Sequence, residues 1–258
     1  MTILETTVGA MHVRVHRDPV ALAGAAADQV ADVLRDSIAA RGMAHAMFAT
    51  GNSQIAMLDA LARDPSVDWR RVVGFHLDEY VGISATHPAS FRRYLRERIT
   101  ERVPIGGFHF IDGDAADLDA ECVRYATLLR DQPLDLCCLG IGENGHLAFN
   151  DPPVADFADP LDVKVVELDD ACRGQQVGEG HFPDMAAVPT HAATVTIPAL
   201  LRAATVVAVV PEPRKAEPVL RALTGPVDTA CPASILREHA HVTLHLDADS
   251  ASAWLAVP

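Results

Sequence analysis

The sequence predicts an α/β fold: a Rossmann-like, open, mostly parallel sheet with helices on both faces. Three observations favour it. Short runs rich in β-branched residues alternate with longer stretches in which apolar residues recur at helical spacing. The runs "VVAVV" and "LDLCCLGI" are apolar without alternation, as strands buried on both faces are. The chain has 258 residues, of which 49% are apolar, so we expect a single domain over 1–258.

The elements follow from local signals along the chain. Asp18 is the predicted N-cap of a helix that has Pro19 in its first turn and ends at Gly42. Strands are predicted at 11–15, 44–50, 71–77, 108–111, 134–141, 163–168, 193–197, 205–210 and 241–246. Further helices are predicted from the "GNS" turn through Arg63 and at 90–100, 117–131, 214–223 and 233–238. The region 152–190, rich in Pro, Gly and acidic residues, is the least regular, and we expect a lid or an excursion from the sheet there.

Composition excludes several classes of protein. A net charge of −14 argues against a nucleic-acid-binding surface, which needs a basic patch. No apolar run is long enough to span a membrane, and the first residues do not resemble a signal peptide. The five cysteines include no CxxC motif, which indicates reduced thiols in a cytoplasmic protein.

Three polar clusters stand at predicted strand ends: "TGNS" after 44–50, "DEY" after 71–77 and "GENGH" after 134–141. In open parallel sheets, ligands bind beyond the carboxyl ends of the strands. Residues nearly 100 positions apart can therefore meet in one site. No dinucleotide or nucleotide-binding glycine motif is present, so these clusters do not indicate a nucleotide.

The first cluster, Thr50, Gly51, Asn52 and Ser53, joins a strand to a helix. Backbone N–H groups and small side chains at such a turn suit a phosphate. The alternative is an ordinary turn in which Asn52 or Ser53 caps the helix. Local sequence does not decide between them.

The second cluster ends a strand with two acids, Asp78 and Glu79. Side chains alternate along a strand, so the two should face opposite ways. One carboxylate can then face a cleft as a general base while the other has a structural role. The alternative is an acid that only caps a turn.

The third cluster places His146 five residues before Asp151, a carboxylate able to fix the imidazole tautomer. Lys215, near the start of a helix, opposes the helix dipole, which is easier to understand if it faces an anion. The alternatives are a structural histidine and a solvated lysine. The remaining histidines have no ligand spacing, so no metal is predicted.

Together these clusters resemble the glucosamine-6-phosphate deaminase family, within the larger group that also holds the 6-phosphogluconolactonases. The resemblance runs from about residue 44 to 245. It rests on the segments "ATGNS", "VVGFHLDEYVGISATHPASFRRYL", "DLCCLGIGENGHLAFNDPP", "VPTHAATVTIPALL" and "PEPRKA".

The resemblance implies a cofactor-free conversion of a small-molecule sugar phosphate, glucosamine 6-phosphate, to fructose 6-phosphate and ammonia. By that likeness, His146 assists opening of the pyranose ring and Asp78 carries the proton from C2 to C1. Lys215 and the Thr50–Ser53 loop hold the phosphate. The likeness leaves a homo-oligomer open.

The chain departs from the family pattern at four places. It has Asn144 where the deaminases often have Asp, and Asp151 where they often have Glu, so Asp151 is the carboxylate left to orient His146. Arg173 is the only arginine near the region that supplies the family's phosphate arginine. No counterparts of the residues for an allosteric activator are evident.

Two rival functions stay open. A lactonase would use the same pocket to hydrolyse a sugar-phosphate lactone, with His146 activating water. A catalytically weak sugar-phosphate-binding protein would retain binding without turnover, as Asn144 could indicate.

Overall fold

The computed structural model describes residues 1–257, in which strands and helices alternate as predicted. The strands are β1 (Thr2–Val8), β2 (Met11–His16), β3 (Ala44–Phe48), β4 (Val72–His76), β5 (Asp78–Tyr80), β6 (Gly107–His109), β7 (Leu136–Leu139), β8 (Val163–Glu167), β9 (His191–Val195), β10 (Thr205–Val210) and β11 (Val242–Asp247). The α-helices are α1 (Pro19–Arg41), α2 (Ile55–Leu61), α3 (Phe91–Leu95), α4 (Leu118–Asp131), α5 (Asp170–Gly178), α6 (Ile197–Leu201), α7 (Ala216–Thr224) and α8 (Ser252–Leu255).

Eight strands form the main sheet in the order β1-β2-β11-β10-β7-β3-β4-β6. All neighbours pair in parallel except β1 and β2, which form an antiparallel hairpin at one edge. The predicted fold class, an open and mostly parallel sheet, is therefore confirmed. Strand β1 was not predicted, because its residues are largely solvent-exposed and include polar side chains at most positions.

Two apolar cores lie on opposite faces of this sheet. On β7, Cys137 and Leu139 pack with residues of α4 and α7, whereas Leu136 and Cys138 pack with residues of α1 and α2. This alternation explains why the central strands are apolar at every position. Adjacent Cys137 and Cys138 thus point to different cores, and all five cysteines are free thiols.

Helix α1 begins and ends as predicted. The Asp18 carboxylate accepts a hydrogen bond from the Ala21 N–H (2.8 Å). Gly42 ends the helix with φ +84°, and its N–H donates to the Ile38 carbonyl. Over residues 1–257, no helix combines the length and apolar character that crossing a bilayer requires.

A second, antiparallel sheet, in the order β5-β9-β8, corrects the predicted placement of three segments. The strands predicted at 163–168 and 193–197 belong here and not to the main sheet. The chain also leaves the main sheet after His76, and the "DEY" segment starts β5, in which Asp78 pairs with Thr194 of β9. Local pattern could not predict this, because pairing across 116 positions leaves no local signal.

The 152–190 region contains β8 followed by α5. Two further corrections are local: the helix predicted at 233–238 is a 3₁₀ helix over Pro232–Glu238, and α3 continues as a π-helix over Arg96–Thr100.

The strand order of the main sheet reverses between β3 and β7. From β3 the chain proceeds to β4 and β6 towards one edge, and from β7 to β10 and β11 towards the other. Loops that leave such neighbouring strands diverge and open a crevice at the carboxyl ends. The "TGNS" and "GENGH" segments are these two loops.

Candidate active site

A pocket lies at this strand reversal. Most of the predicted site residues line it: Thr50, Gly51, Asn52, Ser53, Asp78, His146 and Lys215. Asn144 and Asp151 are the exceptions, and both lie behind His146 and contact each other there. The tertiary structure thus brings all three polar clusters together with Lys215.

Asp78 and Glu79 face opposite ways, as expected for adjacent residues of a strand. Asp78 lines the pocket, and its carboxylate has no hydrogen-bond partner among residues 1–257. Glu79 is fully buried and accepts five hydrogen bonds of 2.7–3.2 Å. Their donors are the N–H groups of Tyr80, Phe91 and Arg92, the Ser90 hydroxyl and the Arg92 guanidinium.

Glu79 therefore anchors the start of α3 against β5 and leaves Asp78 free. Burial raises the pKa of Asp78 well above its usual range, and the nearby Glu79 and Asp151 charges raise it further. A buried carboxylate with a raised pKa is a stronger base than an exposed one, so Asp78 is suited to remove a proton from carbon.

His146 contacts a buried carboxylate on the side away from the pocket. Its Nδ1 lies 2.8 Å from Oδ1 of Asp151, which is fully buried. The approach is oblique, so this close contact is not a well-aligned hydrogen bond. Burial acts to raise the pKa of Asp151, but contacts with His146, Asn144 and Cys172 outweigh it and lower that pKa. Asp151 therefore stays ionised beside His146.

Asn144 supports this pair from the loop. Its Nδ2 donates to Oδ1 of Asp151 (2.9 Å), and its Oδ1 accepts from the backbone N–H of His146 (3.0 Å). An aspartate at this position would place a second carboxylate against Asp151, whereas the amide can donate.

Gly142 makes room for the imidazole. A Cβ at this position would lie 2.2 Å from ring atoms of His146. The glycine is therefore required by a side chain of the protein itself.

Hydrogen bonds to neighbouring elements hold the Thr50–Ser53 loop in place. Neither Asn52 nor Ser53 caps the following helix through its side chain, so the capping role considered for these two residues is absent. Gly51 has φ +95°, and its carbonyl accepts from the Tyr94 hydroxyl (2.9 Å). The buried Gln54 amide donates to the carbonyls of Leu139 and Val209, so the loop is tied to the ends of β7 and β10.

Lys215 is buried within a 3₁₀ turn just before α7, and it lines the pocket. No ion pair between the described residues includes it, unlike neighbouring Arg214. Burial lowers its pKa, and the Arg214 charge acts in the same direction. A buried ammonium without a carboxylate partner is suited to bind an anionic ligand.

Several residues that line the pocket were not predicted from the sequence: Phe91, Gln175, Gln176, Glu179, His181 and Arg214. Most of them lie in α5 or just after it, in a segment for which no regular element was predicted. The position of Arg214 beside Lys215 was the one available signal. Arg173, the arginine expected near this region, instead donates to the carbonyls of Met185 and Val188 and does not line the pocket.

One group of metal-type donor atoms occurs within the described chain: His146, Asp151 and Cys172, whose donor atoms lie within 4.8 Å of one another. The 2.8 Å contact of His146 with Asp151 is shorter than the roughly 3.3 Å that separates two ligands of a tetrahedral zinc ion. The arrangement therefore fits a carboxylate–imidazole pair better than a metal site.

The chain is similar in sequence to known proteins. Residues 17–158 match the family described as glucosamine-6-phosphate isomerases/6-phosphogluconolactonase. The chain is 38% identical over 207 residues to a glucosamine-6-phosphate deaminase of an Exiguobacterium species, covering 80% of this chain and 78% of the relative. It is 36% identical over 205 residues to a glucosamine-6-phosphate deaminase of Listeria monocytogenes, covering 80% and 85%.

Solved structures extend the likeness to the fold. A monomeric glucosamine-6-phosphate deaminase superposes with a TM-score of 0.85 at 30% identity, covering 93% of this chain and 99% of the other. A 6-phosphogluconolactonase from Shewanella baltica superposes with a TM-score of 0.76 at 19% identity, covering 94% and 98%. The second likeness concerns the fold alone.

Proposed function

The chain belongs to the glucosamine-6-phosphate isomerase/6-phosphogluconolactonase family, and on that premise we propose that it is a glucosamine-6-phosphate deaminase. It converts glucosamine 6-phosphate and water to fructose 6-phosphate and ammonia. The observation that carries this proposal is the free, buried Asp78 carboxylate in one pocket with His146 and the unpaired Lys215.

The chemistry divides between two ends of the pocket. His146, oriented by Asp151, transfers a proton to or from the ring oxygen and the C1 hydroxyl as the pyranose opens. Asp78 then removes the proton from C2 while O1 of the open-chain aldehyde gains a proton, which gives an enolamine. Return of the proton from Asp78 to C1, with loss of a proton from the nitrogen, leaves a C=N bond at C2. Water adds to that bond and ammonia leaves. Lys215 and the Thr50–Ser53 loop bind the phosphate.

Asn144 and Asp151 are positioning residues in this scheme, because they act through His146. No step requires a metal or an organic cofactor, since enolisation needs only a placed base and a proton donor. The proposed enzyme is cytoplasmic, in agreement with five free cysteines, which are typical of a reducing compartment.

We also propose that a single chain carries out turnover. The support is that the deaminase that superposes with a TM-score of 0.85 is described as monomeric. Light scattering during size-exclusion chromatography of active enzyme tests this, and it also tests the homo-oligomer that the family likeness leaves open.

The test of function is ammonia release from glucosamine 6-phosphate, measured beside opening of 6-phosphogluconolactone. Wild type should release ammonia and should not open the lactone faster than buffer does. Lactone opening without ammonia release would instead establish a lactonase. Tight binding of sugar phosphates with neither reaction would establish a binding protein.

A further inference from the structure

A phosphate bound beside Lys215, as the proposed function requires, would bring more negative charge than one lysine balances. A phosphate monoester carries nearly two negative charges near neutral pH, and the protein as a whole carries −14. Lys215 supplies one positive charge. Arg173 cannot supply another without losing its bonds to the Met185 and Val188 carbonyls. Arg214 is the arginine that lines the pocket.

Arg214 is surrounded by carboxylates. Its Nη1 lies 2.8 Å from Oε1 of Glu179 and 3.1 Å from Oε1 of Glu143, and its Nε lies 2.6 Å from Oε2 of Glu212. No hydrogen bond to the described residues uses its Nη2, and the side chain is 31% exposed. The guanidinium thus has a free donor and is reachable from solvent.

The segment that carries Arg214 is held in an uncommon conformation. Glu212 has φ +84° and ψ 144°, a region that residues other than glycine rarely adopt. Its N–H donates to the Asp247 carboxylate (3.1 Å), which fixes the turn from the end of β11. Such strained residues persist where surrounding contacts impose them, and they cluster at ligand-binding turns.

Glu179 is the carboxylate that competes for the pocket side of Arg214. Its side chain is only 6% exposed, and it also accepts from Gln175 (2.8 Å) and His181 (3.2 Å). Burial acts to raise its pKa, but the bonds from His181 and Gln175 and the charges of Arg214 and Lys215 bring the pKa to about 2. It is therefore ionised at neutral pH, and an incoming anion meets its full charge.

We propose that Arg214 is the second phosphate ligand of this pocket and that Glu179 holds its guanidinium until the phosphate displaces it. A phosphate offers three oxygens and more charge than a carboxylate, so it is the stronger partner for a guanidinium. Glu179 keeps Gln175 and His181 as partners after the exchange. This inference rests on the proposed function, which places a phosphate beside Lys215.

If phosphate replaces Glu179 at Arg214, substitutions of Arg214 and of Glu179 should change the affinity for phosphate in opposite directions. Inorganic phosphate is titrated calorimetrically into the full chain, with potassium chloride keeping the ionic strength constant. Arg214→Gln should weaken binding at least tenfold, and Arg214→Lys, which keeps the charge without the planar fork, should weaken it by a smaller factor. Glu179→Gln should tighten binding severalfold, because the competing charge is gone.

The matched control is Arg70→Gln. It removes an exposed arginine that is paired with Asp68 outside the pocket and should leave phosphate binding unchanged. In the Arg214→Gln background, Glu179→Gln should lose most of its effect, because the two residues act through one contact. If Glu179→Gln acted only by changing the electrostatic potential of the pocket, it would tighten phosphate binding equally in wild type and in Arg214→Gln.

Three results would overturn the inference: no phosphate binding by wild type, Arg214→Gln and Arg214→Lys both binding within twofold of wild type, or weaker binding by Glu179→Gln. The proposed function is assayed separately. If phosphate binding depends on Arg214 but no ammonia is released, the deaminase function is wrong and the role of Arg214 stands. If ammonia is released but phosphate binding does not depend on Arg214, the role of Arg214 is wrong and the deaminase function stands.

Discussion

Asp78 and Glu79 are adjacent and both buried, yet Glu79 accepts five hydrogen bonds while Asp78 accepts none from the described residues. This difference in hydrogen bonding indicates that the two acids have different roles. Glu79 fixes the backbone of β5 and the start of α3, and Asp78 presents an unbonded carboxylate to the pocket.

Substitution of each acid by its amide should therefore give opposite results. Asp78→Asn should lower kcat/KM for ammonia release by about 10²–10⁴. It should not lower the thermal midpoint, because it removes no contact and relieves the cost of a buried charge. Glu79→Gln should cost on the order of 3 kcal/mol of unfolding free energy, because buried charge-assisted bonds are lost. Substantial turnover by Asp78→Asn would remove Asp78 as the base.

The raised pKa of Asp78 predicts the acid limb of the pH–rate profile. The base must be ionised, so kcat/KM should fall as pH decreases through a pKa well above the usual 3.8. Asp78→Glu should shift this limb, because it changes the burial of the carboxylate. A limb at the same pH in both enzymes would assign it to another group.

The His146–Asp151 pair predicts a loss of orientation when its carboxylate is neutralised. Asp151→Asn should lower kcat on the order of 10²-fold or more, since an amide can stabilise the wrong imidazole tautomer. Asn144→Ala should have a smaller effect of the same kind, because it removes one donor to Asp151 and leaves the charge. An unchanged kcat in Asp151→Asn, with native stability, would exclude an orienting role.

Gly142 and Gly174 provide a matched pair of glycines. Gly142→Ala should displace the His146 ring, because the new Cβ would lie 2.2 Å from ring atoms, and should abolish most activity. Gly174→Ala in α5 meets nothing within 4 Å and should stabilise the protein by about 0.5–1 kcal/mol with activity retained. Similar activities in the two variants would contradict the close packing at Gly142.

Buried histidines predict a loss of stability in mild acid. Burial lowers the pKa of both His76 and His245 from 6.5 to about 3, and it also lowers that of His16, whose Nε2 lies 3.0 Å from Nδ1 of His245. Below pH 6.5 the unfolded chain binds protons that the folded chain excludes, so the unfolding free energy should decrease from pH 7 towards pH 4.

Denaturant unfolding at several pH values measures this decrease. His245→Gln should reduce its slope, because one of the excluded protons is then absent from both states. A slope equal to that of wild type would assign the acid sensitivity to other groups.

The sequence by itself determined the fold class and the chemical content of the site. Strands buried on both faces must be apolar throughout, and the cap residues Asp18 and Gly42 act through contacts within four positions, so both leave local signals. The polar residues at the ends of β3, β4 and β7 could be placed near one another because parallel strands share one carboxyl edge.

Only the tertiary structure decided which acid is free, what surrounds His146 and which arginine reaches the pocket. The second sheet pairs Asp78 with Thr194, and α5 brings Glu179 against Arg214, across separations of 116 and 35 positions. Such contacts depend on how distant segments pack, and nothing in the local pattern of either segment encodes the partner. The residue type fixes which functional group is present, but the hydrogen bonds, burial and pKa of that group depend on the residues that the fold places around it.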